Sequence, residues 1–270
     1  MMSDVTIGQY YPGDSILHRM DARMKIVLSV FMMVSAFLCK NFISLALAAA
    51  IMVLVCIISK VTPKTILKGL KPVIVIVLIT TILNLFYGTG EPIVRLGIIK
   101  ITMNGIYTSI FMAVRIIILV VYGVMLTYTT TPTSLTDAIE SLLKPLTLMH
   151  VDVHSIAMTM TIALRFIPTL LEEVDKIISA QKSRGADMES GGLLKRAKAV
   201  IPIMIPLFVS SFRRANELAY AMECRCYRGG KGRTKMNVMH MHGRDYGALA
   251  FSAVYFTSII LLKIFVKSVI

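Results

Sequence analysis

Two arginines occupy matching positions at the ends of two long segments that have helical periodicity. Residues 180–185 read AQKSRG and residues 221–226 read AMECRC, so both follow the pattern Ala-x-x-small-Arg-small. A guanidinium keeps its charge and offers forked donors to a carboxylate, and small neighbours let it enter a narrow groove. The pattern predicts docking onto acidic grooves of a partner. The predicted docking residues are Ser183, Arg184, Gly185, Cys224, Arg225 and Cys226.

A structural explanation stays open for each arginine taken alone. The helix dipole favours a cation near a helix C-terminus by roughly 0.3–1 kcal/mol, and Gly185 suits the residue that follows many helix ends. Duplication favours the functional explanation, because two equivalent tips suit a partner that presents two equivalent sites. A dimeric ATPase is a partner of that kind.

Metal binding and catalysis are not indicated by the sequence. Cys224 and Cys226 are separated by one residue, unlike the C-x-x-C spacing of zinc and redox sites. The five histidines form no H-E-x-x-H array, and no G-x-x-x-x-G-K-[ST] loop occurs. The apolar blocks carry no paired acids and no nucleophile with its base. We therefore expect no enzyme activity, no metal and no cofactor.

Two long helices and one short helix are predicted to position the arginines. In residues 154–183, apolar residues recur at steps of three and four and the opposite side is charged, which indicates an amphipathic helix with a kink at Pro168. A second long helix is predicted over residues 195–224. A short amphipathic helix is predicted over residues 133–143, started by a hydroxyl cap and stopped by Pro145.

Small residues along the second long helix favour a close crossing with the first. They recur every four residues, a spacing that lets two helices approach closely. The alternative is that alanine is simply a good helix former. The predicted crossing residues are Ser211, Ala215 and Ala219.

Composition places most of the remaining chain in a membrane. Of the 270 residues, 56% are hydrophobic and only 16% are charged, whereas a soluble domain is about one quarter charged. Residues 93–101 carry Arg95 and Lys100, which favours a re-entrant or interfacial segment. The net charge of +14 then indicates basic cytoplasmic loops and contact with membrane lipid rather than nucleic acid. The predicted spans are residues 24–39, 42–58, 73–87, 106–128 and 246–265.

Lysines in the loop of residues 59–72 and throughout residues 133–245 predict that both regions are cytoplasmic, in a bacterial plasma membrane. Arg115 interrupts the fourth span. Three explanations stay open: a functional role, a position facing other helices, or a position near the membrane interface. The sequence thus predicts an all-α polytopic membrane protein with about five transmembrane helices and a cytoplasmic coupling domain. The predicted domains are residues 1–131 with four spans, residues 132–245 with the coupling helices, and residues 246–270 with the last span.

Three motifs together resemble one transporter family. Residues 8–15 and 17–25 are similar to the opening signature of the energy-coupling factor transporter T components, the transmembrane coupling proteins. The two arginine tips resemble that family's paired Ala-Arg-Ser/Gly motifs. Residues 227–233 resemble the tail of the T components that serve several substrate-binding subunits. The resemblance extends over essentially the whole chain.

The resemblance implies a non-catalytic subunit of an ABC-type importer for vitamins or micronutrients. Its implied partners are two ATP-binding subunits, gripped by the tips through Arg184 and Arg225, and a substrate-binding S component held by the membrane helices. ATP-driven motion of the tips would tilt the coupling helices and topple the S component. Ser183 and Cys224 stand where the family often has alanine, and Cys226 stands where it often has glycine.

Two other functions compete with this one. A self-sufficient ABC permease that forms its own translocation path would normally pair two copies with one coupling helix each, whereas two tips on one chain favour a single copy for each ATPase pair. A membrane scaffold without a transport role is the weaker alternative.

Overall fold

The computed structural model describes residues 10–86, 92–96, 99–186, 192–230 and 239–265. These residues form eight α-helices and a two-stranded antiparallel hairpin, and they divide into two compact units. One unit contains residues 10–138 and 239–265, and the other contains the described part of residues 139–230. In chain order the elements are α1 (Ala22–Leu38), α2 (Phe42–Ser59), α3 (Pro63–Phe86), β1 (Pro92–Leu96), β2 (Ile99–Thr102), α4 (Met103–Thr129), α5 (Pro132–Leu143), a 3₁₀ turn (Lys144–Met149), α6 (Val153–Ser183), α7 (Leu193–Cys224) and α8 (Gly243–Phe265).

Polar side chains define where the membrane helices begin. Asp21 caps α1 by accepting a hydrogen bond from the Arg23 amide, and Asn41 and Ser44 form a capping box at α2. Thr102 caps α4. Each cap satisfies an amide that would otherwise lack an intrahelical acceptor, so the helix starts are set locally by the sequence.

The core of the first unit lies between α1, α2, α4 and α8. Phe111, Ile118 and Ile259 are fully buried there. Helix α3 lies at the periphery and contacts α4, and none of its residues is buried. That contact is close at Gly69, where an added Cβ would lie 2.9 Å from the Tyr128 hydroxyl.

Among the described residues, five helices are long and apolar enough to cross a membrane: α2, α3, α4, α6 and α8. The number agrees with the prediction, and the all-α polytopic fold is confirmed. Helix α1, the predicted first span, has 17 residues, which at 1.5 Å per residue cover about 26 Å of a hydrocarbon core about 30 Å thick, so its spanning role stays a prediction. Helix α6 has 31 residues and reaches the required length and composition, although its sequence is amphipathic.

Two local predictions are corrected and one stays open. Helix α3 begins at Pro63, ten residues before the predicted span, so Lys64, Lys68 and Lys71 lie on its first turns and not in a loop. Residues 92–96 and 99–102 pair as antiparallel strands, and the re-entrant or interfacial placement of this segment stays a prediction. The hydroxyl that caps α5 belongs to Thr131, because Pro132 takes the first helical position, where its missing N–H costs nothing.

The structure shows which groups surround the Arg115 guanidinium. Its guanidinium donates to the backbone carbonyl of Cys39, the residue that ends α1, and lies 4.6 Å from the centre of the Phe111 ring. A cation at a helix C-terminus complements the helix dipole, and the aromatic face adds further attraction. Arg115 therefore faces neighbouring helices and fastens the end of α1 to α4.

Candidate functional site

Helices α6 and α7 form an antiparallel pair within the second unit. Near one end, the Gln181 amide donates to the Pro202 carbonyl over 3.4 Å. Near the other end, the Tyr227 hydroxyl contacts the Met158 sulfur at 2.9 Å. The helices run in opposite directions, so their C-terminal tips lie at opposite ends of the pair. A rise of 1.5 Å per residue from Met158 to the first tip gives a separation of about 40 Å.

The first tip is a Schellman motif. The Gly185 amide donates to the Lys182 carbonyl over 3.0 Å, and the Ala186 amide donates to the Gln181 carbonyl over 3.0 Å. Gly185 adopts a left-handed conformation with φ of 83°, which this motif requires. Arg184 is the residue that ends the helix.

The second tip has the same geometry. The Cys226 amide donates to the Glu223 carbonyl over 2.8 Å, and the Tyr227 amide donates to the Met222 carbonyl over 3.0 Å. Arg225 ends the helix, as Arg184 does in α6. Cys226 has a φ of 55° and thus stands in the left-handed position that glycine fills in the first tip. The sequence repeat is therefore also a repeat of backbone structure.

All six predicted docking residues are exposed. The structure brings them together as two triplets, one at each end of the α6–α7 pair. Within the described part of the chain, the guanidinium group of neither Arg184 nor Arg225 makes a hydrogen bond or an ion pair. Both guanidinium groups therefore keep their forked donors available for an external carboxylate.

A polar cluster joins the two helices near the middle of the pair. The Arg214 guanidinium donates to the Glu173 carboxylate from Nη2 at 2.8 Å and from Nε at 3.1 Å, and the Ser210 hydroxyl donates to the other carboxylate oxygen. The Glu173 side chain is only 21% exposed. A charge-assisted pair with two donors fixes the register of α7 on α6.

The predicted crossing residues lie beside this cluster. Ser211 is half-buried and donates its hydroxyl to the Leu207 carbonyl of its own helix, while Ala215 and Ala219 are exposed. The contacts with Glu173 come from the neighbouring row that contains Ser210 and Arg214. A crossing through the small residues stays a prediction.

The segment after the second tip folds back along α6. Residues 225–229 line a cavity of about 360 Å³ together with Met158 and Met222. An added Cβ on Gly230 would lie 2.4 Å from the His154 ring, so only glycine fits there. The motif singled out in the sequence continues to residue 233, and residues 231–233 lie outside the described part of the chain.

The opening motif forms a strap of residues 10–21 in the first unit, while residues 8 and 9 lie outside the described part. The Tyr11 amide donates to the Tyr128 carbonyl over 3.0 Å. The Lys25 ammonium donates to the carbonyls of His18 at 3.1 Å and Thr129 at 2.7 Å. The strap and Lys25 thus satisfy the last carbonyls of α4, which have no intrahelical donor.

The start of α1 is also joined to the start of α8. Asp245 is buried and accepts from the amides of Asp21 at 3.3 Å and His242 at 2.8 Å. Arg23 donates to the Asp21 carboxylate at 2.8 Å and to the Met239 carbonyl at 3.0 Å. Burial raises the pKa of the Asp21 carboxyl, but the hydrogen bonds from Arg23 outweigh burial and hold that pKa below its usual value.

Fold and site together define a polytopic helical membrane protein that carries a long helical hairpin with two matched arginine tips. The chain belongs to the family of energy-coupling factor transporter transmembrane proteins, the T components. The family model described as CbiQ, cobalt transport protein, matches residues 13–236. The protein is thus a multi-pass transport component of the cell membrane.

Curated relatives match nearly the whole chain. Each is named energy-coupling factor transporter transmembrane protein EcfT. The protein from Ruminiclostridium cellulolyticum is 49% identical over 263 residues, which cover 97% of this chain and 98% of the relative. The protein from Clostridium kluyveri is 48% identical, with 91% and 92% covered. The protein from Bacillus subtilis is 43% identical, with 91% and 93% covered.

Proposed function

We propose that this chain is the non-catalytic coupling subunit of an energy-coupling factor importer. It transmits the motion of two ATPase subunits to a substrate-binding S component during uptake of a vitamin or micronutrient. Residues 132–245 are its cytoplasmic coupling domain. Helix α6 is long enough to cross a membrane, but its charged face suits a helix outside the bilayer core. The observation that carries the proposal is the pair of matched tips, which present exposed, unpaired Arg184 and Arg225 about 40 Å apart at opposite ends of one helical pair.

The tip geometry supports docking into acidic grooves. The helix dipole favours a cation at a helix C-terminus, and an arginine there extends its charge beyond the last turn toward a partner. The flanking residues Ser183, Gly185, Cys224 and Cys226 are small and exposed, so neither arginine has a bulky side chain directly before or after it in the sequence. Two equivalent ends suit the two equivalent grooves of an ATPase dimer.

An apolar stripe on α7 supports contact with the S component. Ile201, Ile205, Phe208 and Phe212 recur at steps of four, three and four residues, and each is more than half exposed. A stripe with this spacing occupies one helix face, and on this chain it is left uncovered. We expect the S component to bury this stripe. Because the stripe and the second tip belong to the same helix, an ATP-driven movement of the tip would also move the S component.

The test removes both arginines and keeps a matched control. We expect Arg184→Ala combined with Arg225→Ala to abolish uptake and co-purification of the ATPase subunits while the protein stays in the membrane. The control is Arg165→Ala combined with Arg213→Ala, which removes the same charge from exposed positions of the same helices away from the tips and should retain both. Normal uptake by the tip variant would refute the assignment.

A charge reversal tests the acidic nature of the grooves. Arg225→Glu should reduce uptake more than Arg225→Ala, because like charges would face each other in the contact. Equal effects of the two variants would rule out an acidic partner. Mass measurement of the intact complex separates this proposal from a self-sufficient permease, which would contain two copies of the chain.

A further inference from the structure

A cavity of about 260 Å³ lies in the first unit, at the end of the helix bundle where α1 begins and α4 ends. The strap contributes Leu17 and Met20 to its wall, α1 contributes Leu28, α4 contributes Leu126 and α8 contributes Phe251. For comparison, an apolar cavity of about 150 Å³ in a protein core is large enough to bind benzene.

Hydrocarbon suits this cavity better than water does. A buried water needs two to four polar partners, and apolar cavities that lack them stay dry. Here five segments of the chain form the wall, and almost all of its surface is apolar, although Lys25, Ser29, Tyr122 and Thr129 are among the lining residues. Because the cavity lies within a bundle of membrane helices, the acyl chains of the surrounding lipid are the hydrocarbon at hand.

One cation stands in the wall. Lys25 is 8% exposed, and its ammonium donates to two neutral carbonyls, those of His18 and Thr129. An ammonium has three N–H donors, and within the described residues Lys25 makes no ion pair. The two nearby carboxylates are already engaged, Asp21 by Arg23 and Asp245 by two backbone amides.

We propose that this cavity binds an anionic lipid, with an acyl chain between the strap and the helices and an acidic head group at Lys25. An acyl chain in the cavity gives the wall the van der Waals contacts that an empty cavity lacks. The acidic head group supplies a negatively charged partner for the Lys25 ammonium. A negatively charged lipid is therefore preferred to a zwitterionic lipid with the same chains.

The chain contains no tryptophan, so one introduced tryptophan reports on its own surroundings. The full-length variant Phe251→Trp is reconstituted into vesicles that contain a small fraction of phosphatidylglycerol or phosphatidylcholine with brominated acyl chains. We expect brominated phosphatidylglycerol to quench its fluorescence at least about twofold more than the same fraction of brominated phosphatidylcholine. The matched control is Phe37→Trp, whose side chain is exposed on α1 away from the cavity and should be quenched equally by both lipids.

Two second-site changes assign the preference to the cavity. Ser29→Phe fills the cavity from α1, and Lys25→Gln removes the cation; each should abolish the preference of the Phe251→Trp protein for phosphatidylglycerol. Equal quenching by the two lipids in the parent variant, or a preference that survives Ser29→Phe, would overturn the proposal. Absence of quenching by either lipid would also overturn it and would favour a protein segment as the occupant.

Discussion

The two tips make a quantitative prediction about single residues in the left-handed conformation. Gly185 and Cys226 occupy the same place in matched Schellman motifs, with φ of 83° and 55°. For a residue with a side chain, this conformation costs about 1–2 kcal/mol. A change to glycine removes that cost. It also raises the conformational entropy of the unfolded chain, which lowers the stability by about 0.4–1 kcal/mol. Cys226→Gly should therefore stabilise the second tip by about 1 kcal/mol.

The first tip provides the reverse experiment with a clean control. An added Cβ on Gly185 would meet nothing within 4 Å, so Gly185→Ala should destabilise that tip by about 1 kcal/mol through backbone conformation alone. The control is Gly192→Ala at the start of α7, where φ is −69° and an added Cβ also meets nothing within 4 Å. That change should leave the tips unaffected.

Hydrogen exchange of the tip amides measures these differences. Local opening exposes the amides of Ala186 and Tyr227, which donate within the two motifs, so their exchange follows the stability of each tip. A change of about 1 kcal/mol corresponds to about fivefold in rate. We expect slower exchange at Tyr227 in Cys226→Gly and faster exchange at Ala186 in Gly185→Ala. Equal exchange in Gly185→Ala and Gly192→Ala would refute the reasoning.

Two further predictions concern polar contacts. In a double-mutant cycle with Glu173→Gln and Arg214→Ala, unfolding free energies in mixed micelles should give a coupling of about 0.5–1 kcal/mol, because the pair is partly exposed; zero coupling would contradict its role in fixing the helix register. The pKa of Asp21 is lowered on folding, so its contribution to stability is present above its unfolded pKa of about 3.9 and is lost as the pH falls through the folded value. On acidification below about pH 4, the Asp21→Asn variant should lose less thermal stability than the unmodified protein does. An identical pH profile of the two proteins would contradict this.

The sequence predicts the long helices well because their signals are local. The periodicity and the small residues after each arginine place the ends of α6 and α7 at Ser183 and Cys224, as observed. The start of α3 is missed because three lysines lower the local hydropathy, although Pro63 is a good first helical residue. Hydropathy alone also does not decide which of α1 and α6 spans the membrane, because α1 is short and apolar whereas α6 is long and amphipathic.

The backbone of the second tip and the strap are not predictable in the same way. Cysteine carries no preference for the left-handed conformation, so the match between Cys226 and Gly185 becomes visible only in the structure. The contacts of Asp21 with Asp245, and of Lys25 with Thr129, join residues 224 and 104 positions apart. No local pattern specifies such pairs, because each partner is chosen by the packing of whole helices.

The hydrogen bonds that tie α8 to α1 and to the residues just before α1 and α2 impose an order on assembly. Asp21 joins Asp245, Ser35 joins Tyr255, and Asn41 joins the carbonyl of Leu262, each across about 220 residues. During synthesis the N-terminal part emerges first, so these three residues lack their C-terminal partners until nearly the entire polypeptide has been made. Completion of the bundle therefore depends on the final helix, and an insertion intermediate without it lacks all three contacts.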